Sequence, residues 1–185
     1  MILFYSGASN YEDIQSDINL SLGQYISNTQ VPNDVIGATF GSVSILKKSR
    51  NDKQVFLLVL KNTTGSDVTD ILIHYDYPDP VEGGKYILEL AFVNPTLDSD
   101  GNPVFEKIPS PNSLPLTGSF SEYNGITNQV NIGNLNSDQT IGVWFKSTLN
   151  QANNVNLTDQ QLYDNFADNK NLDQQEQINF VINYT

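Results

Sequence analysis

Apolar residues along this chain come in short runs that alternate with polar ones, and clusters rich in Asn, Ser, Asp, Gly and Pro separate the runs. A two-residue period bounded by turn formers predicts many short strands. The runs that qualify are 42–47, 54–61, 70–77, 85–93, 104–108, 119–123, 126–132, 140–146 and 177–184. In the last, Ile178, Phe180, Ile182 and Tyr184 share one face and Asn179 and Asn183 the other, as in a strand with one wet side. Val55 to Leu60 is apolar at every position, so it is expected to be a central strand covered on both faces or one that a partner also buries.

The turns fit this map. Asn124-Gly125 predicts a tight hairpin, because a type I′ turn needs positive φ at both central positions. Asp100-Gly101 predicts a longer loop that closes the 85–93 run onto 104–108. Pro78, Pro80, Pro109, Pro111 and Pro115 fall between strands, where a missing N–H breaks no ladder.

Two segments depart from the rhythm. Thr158 and Gln161 form a capping box and Leu162 and Phe166 an i, i+4 apolar pair, which predicts one short helix before the last strand. Residues 1–41 lack clean periodicity over most of their length and read as an extended N-terminal arm, with Leu20, Leu22, Tyr25 and Ile26 as its apolar anchors. The expected fold is mainly β: an antiparallel β-sandwich, Ig-like or jelly-roll-like, over 42–185, preceded by the docking arm of 1–41. No repeat of solenoid length is evident.

Composition narrows the functions. A length of 185 residues supports one domain of ordinary size. Nine Lys and Arg against 21 Asp and Glu leave a net charge of -12, which works against binding nucleic acid or an anionic membrane surface. Without cysteine there is no disulfide, zinc–thiolate site or thiol nucleophile. Most of the negative charge lies in residues 1–41 and 151–185, which points to a partner with a basic groove. Met1 to Tyr5 has neither the length nor the basic flank of a signal peptide or membrane span, so synthesis in the cytoplasm is expected.

Candidate chemistry is sparse. His74 shares a strand face with Asp70 and Asp76, but no nucleophile-elbow serine lies nearby in sequence. Glu82, Glu89, Glu106 and Glu122 are available as paired carboxylates, yet a pair must face across a cleft to act. Asp98, Asp100 and Asn102 place oxygens at alternate positions as calcium loops do, or else cap a turn. Tyr75, Tyr77, Tyr86 and Trp144 offer rings that stack on sugars if exposed and fill a core if not. No catalytic set, cofactor motif or metal motif emerges, and the expectation is a protein that is not an enzyme.

Three segments carry a resemblance. Residues 19–33, with Ser21-Leu22-Gly23-Gln24-Tyr25 and the Ser27 and Thr29 that follow, are similar to a motif of virion proteins of tailed bacteriophages. Leu58-Val59-Leu60-Lys61-Asn62-Thr63 and Gly142-Val143-Trp144-Phe145-Lys146 resemble later strands of the same family. Gly37-Ala38-Thr39-Phe40 and Gln54-Val55-Phe56 depart from its pattern. The resemblance implies a β-sandwich without catalysis, resident in the virion as part of a multi-copy assembly. A capsid auxiliary or decoration subunit contacting the major capsid protein is the first reading. A tail, neck or baseplate adaptor and a glycan-binding sandwich on a fibre are the alternatives. Leu20, Leu22, Gly23, Tyr25 and Ile26 are the expected partner interface.

Overall fold

The computed structural model describes residues 1–33, 35–36, 53–77, 86–149 and 178–185. Among them the strands are β1 (Ile2–Ala8), β2 (Gln24–Val31), β3 (Lys53–Asn62), β4 (Leu72–Asp76), β5 (Tyr86–Val93), β6 (Thr96–Leu97), β7 (Pro103–Phe105), β8 (Val130–Asn131), β9 (Thr140–Leu149) and β10 (Asn179–Asn183). The protein is mainly β and its sheets are antiparallel. A large sheet runs β5-β9-β3-β1-β2-β7-β6 and a small one β10-β4-β8. The expected strand at 42–47 and the helix near 158–166 lie outside the described residues.

β3 occupies the middle of the large sheet because both of its faces are apolar. Val55 to Leu60 are all fully buried. Phe56, Leu58 and Leu60 point to one face with Phe4, Phe145 and Val143. Val55, Leu57 and Val59 point to the other with Trp144, Ala91 and Ile26. The small sheet covers the first face. Its Ile73, Tyr75 and Phe180, with Ile71 just before β4, join that cluster, and Phe180 lies edge-on to Phe4 with centroids 5.8 Å apart. The rings of Phe56 and Phe145 stack at 5.0 Å with an interplanar angle of 3°.

Among the described residues no second sheet covers the other face. The segment 105–121 crosses it as a strap, laying Phe105, Ile108 and Phe120 on the cluster around Trp144. The sheet curls into a half-barrel so that β7, five positions from β5 by strand order, still reaches β9. A Cβ on Gly142 would lie 2.7 Å from the Phe105 ring and 2.8 Å from Val93, so the curl needs glycine at that point.

The N-terminal segment corrects the expectation of an arm. β1 pairs with β3 from Ile2↔Asn62 to Ser6↔Leu58 and with β2 on its other edge, which puts the first eight residues inside the sheet. Alternation is weak there for the reason it is absent in β3: both faces are covered. Ile2 and Phe4 enter one core and Tyr5 the other. The sheet therefore starts at Ile2, well before residue 42.

Two turns also differ. Asn124-Gly125 makes no hairpin; the Gly125 N–H bonds the Tyr75 carbonyl at 2.8 Å, and the Asn124 amide bonds both the N–H and the carbonyl of Tyr77 at 3.0 and 2.9 Å. The side chain imitates a strand partner, which a local turn rule does not foresee. Asp100-Gly101 does turn the chain, but joins β6 to β7, and β5 lies at the opposite edge.

Asn62 closes one end of the fold. It is fully buried, its Nδ2 lies 2.8–3.1 Å from the carbonyls of Ser66, Leu135 and Asn136, and its Oδ1 accepts from the N–H and hydroxyl of Thr64. Asn62→Ala removes these side-chain bonds and opens a void at a buried position, while each carbonyl keeps one other donor, from Thr64, Val68 or Gln139, and a loss of about 1–3 kcal/mol is expected in urea unfolding.

Candidate functional site

The expected interface residues Leu20, Leu22, Gly23, Tyr25 and Ile26 lie in a segment that closes a gap in the sheet. β1 leaves β3 after Ser6, so the N–H groups of Val55 and Leu57 face no strand. Ser21 supplies the missing partner: its carbonyl accepts from Leu57 N–H at 2.7 Å and its hydroxyl donates to the Leu57 carbonyl. That hydroxyl also accepts from Gly7 N–H at 2.5 Å. Two residues along, Val55 N–H is satisfied by the Pro111 carbonyl at 2.7 Å. Buried N–H groups left unpaired cost free energy comparable to a lost hydrogen bond, so Ser21 and Pro111 each satisfy a real demand.

The rest of the segment follows suit. Gly23 has φ +98°, and a Cβ there would lie 1.8 Å from the Glu106 carbonyl oxygen. Beside it, the Leu22 carbonyl accepts from Ile108 N–H at 2.9 Å. Ser27, Asn28 and Thr29 form a bulge opposite Ser6, where the Ser27 and Ser6 hydroxyls bond at 2.7 Å and Thr29 N–H bonds the Ser27 hydroxyl at 3.0 Å. The bulged edge is capped by residues 12 and 13, whose backbone bonds Ile26 and Asn28.

Of the expected interface residues, Gly23 and Ile26 are buried in the chain's own fold, and Leu22 is half-buried against the Trp144 cluster. Tyr25 is half-buried, with its hydroxyl near Asp98, where it helps to hold that carboxylate ionised. Leu20 is 56% exposed and is the member of the set that keeps a free apolar side chain.

Comparison with protein-family models, curated proteins and solved structures finds no match. The functional reading therefore rests on the residues themselves.

Trp144, Tyr75 and Tyr77 are buried, so they build the core and offer no platform to a sugar. The Tyr75 hydroxyl donates to the Leu88 carbonyl, and burial, with Glu122 and Glu89 nearby, pushes its phenol well above the usual range. His74 is buried on the far face of β4, its Nε2 3.8 Å from Asp76 and its Nδ1 without a partner. Glu89 is paired with Lys146, whose ammonium sits over the Phe120 ring at 4.8 Å. Glu106 serves the strap and Glu122 is exposed, while Glu82 lies outside the described residues. Among the described residues no three His, Cys, Asp or Glu converge as a metal set, and no helix is long and apolar enough to cross a membrane.

Asp98 makes a capped turn. Its carboxylate accepts from the N–H groups of Asp100 and Asn102 at 2.9 and 2.8 Å and from the Asn102 amide at 3.2 Å. Those donors, led by the Asn102 N–H, hold it below the usual aspartate range. Glu106 is pushed up by partial burial, but the N–H groups of Leu116 and Thr117 and the Thr117 hydroxyl outweigh this and hold it below the glutamate range. Both folded values lie under the unfolded ones, so this stabilisation is present at neutral pH and is lost as pH falls. The urea midpoint is expected to stay level down to about pH 5 and to drop below about pH 4. In Glu106→Gln that drop is expected to be shallower.

Proposed function

We propose that the chain is a structural subunit of a bacteriophage particle, a β-sandwich that reinforces contacts between capsid proteins as an auxiliary or decoration protein. One observation carries the reading. The three segments that resemble phage virion proteins, far apart in sequence, meet in a single seam: Ser21 bonds Leu57, and β3 pairs with β9 through Leu58↔Val143 and Val59↔Gly142. The residues that mark each segment each meet a packing or hydrogen-bonding demand of the chain's own fold: Ser21 in that seam, Gly23 against Glu106, Asn62 at one end of the fold, and Gly142 and Trp144 beneath the strap. A resemblance built on residues that act together in the core supports kinship of fold, and the fold is what a virion subunit contributes. Docking on neighbouring virion proteins then falls to exposed surface residues such as Leu20.

Quantitative mass spectrometry of purified particles tests this. Copies on the order of hundreds place the chain in the head shell, whereas copies on the order of six or twelve place it at the neck, tail or baseplate. Particles without the chain sink the proposal.

A further inference from the structure

We propose that Leu114 and Leu116 form a rigid apolar knob that seats in an apolar pocket on a positively charged neighbouring protein of the same particle. The proposal rests on the virion reading and adds to it the contact surface and the chemistry of the partner.

The strap that covers the Trp144 face is fixed at both ends. Pro111 is bonded to β3, and Ser121 exchanges two N–H···O bonds with Leu90 at 2.9 and 3.0 Å. Gly118 lies so close to Ala91 and Val93 that a Cβ would meet them at 3.1 and 3.0 Å. Between these anchors the chain lifts away from the core, leaving Leu114 45% and Leu116 95% exposed. Singly exposed leucines are ordinary; this pair is set apart by what lies beneath it. The Glu106 carboxylate takes the Leu116 N–H on one oxygen at 2.7 Å, and on the other the Thr117 N–H at 2.9 Å and its hydroxyl at 2.7 Å. Three charge-assisted bonds fix the backbone that presents Leu116, so docking does not have to order it. Since Glu106 is held ionised at neutral pH, the clamp is closed under physiological conditions.

Charge selects the occupant. Two copies of this chain each carry -12 and repel, and residues 94–121 hold Asp98, Asp100 and Glu106 against Lys107. The complement is a pocket with a basic rim. Two leucines cover far less than the roughly 800 Å² per partner of a stable pairwise interface, so the knob acts as one contact among several in an assembly.

The test is incorporation of Leu116→Asp into particles in place of the wild-type chain, read by mass spectrometry, with thermal unfolding of the purified variant as the check on folding. Leu116 packs on nothing, so unchanged unfolding is expected together with a loss of incorporation of roughly tenfold or more. Glu106→Ala keeps both leucines and frees their loop; amide exchange at Leu116 and Thr117 is expected to quicken by about tenfold or more, with a smaller loss of incorporation. Normal incorporation of Leu116→Asp overturns the knob while leaving the virion reading intact. Absence of the wild-type chain from particles overturns both. A dimer of the purified chain that Leu116→Asp abolishes replaces the basic partner with a second copy and overturns the proposal.

Discussion

Gly23→Ala is expected to destabilise the chain by on the order of 4 kcal/mol or more, enough to leave little of it folded. Two effects add. At φ +98° an L side chain is strained by about 1–2 kcal/mol. The larger effect is the overlap with the Glu106 carbonyl 1.8 Å away, which is backbone and cannot rotate aside. Relief requires β2 and β7 to part, and with them goes the Ile108 N–H bond to Leu22. Gly101→Ala provides the contrast: φ is +85°, but nothing lies within 4 Å, so the strain of about 1–2 kcal/mol stands by itself. Urea midpoints of the two variants should differ widely; equal midpoints would mean that Gly23 is not pressed against the strap.

Trp144→Ala is expected to lose about 3–5 kcal/mol, the range for a fully buried large side chain. The ring touches the cluster between sheet and strap, so its removal loosens both. Trp144→Phe should lose clearly less, because it keeps an aromatic filler and removes an indole N–H that has no partner. Circular dichroism during urea unfolding reads both variants. A stable, fully folded Trp144→Ala protein would instead return this ring to the surface and revive the sugar-platform reading.

The strands with a clear apolar pattern were legible from sequence. Val55 to Leu60 reads as doubly covered and is so, and the 85–93 and 140–146 runs correspond to β5 and β9. The N-terminal strand was not legible, because Met1 to Tyr5 followed by Ser, Gly and Ala has the composition of a tail, and only the pairing with β2 and β3 makes it central. Asn124 misled for a related reason: its amide serves a strand 47 residues away. The same limit applies to the expected interface. Ser21, Leu22 and Gly23 are distinctive in sequence, but distinctive residues arise from packing as readily as from binding. The gap they fill, the unpaired N–H of Leu57, exists only once β1 has turned away from β3. Leu116, by contrast, gives no signal in sequence, since its significance depends on a carboxylate ten positions earlier.

The central claim is that the segment carrying the phage-like motif is an internal part of the sheet. Native-state hydrogen exchange followed by NMR tests it most directly. If the claim holds, amides in β1 and the N–H of Leu57, which Ser21 receives, exchange only through global unfolding, with the same protection as the middle of β3. Exchange of the first 31 residues at rates near those of an unstructured peptide, while β3 and β9 stay protected, would contradict it and restore the free arm.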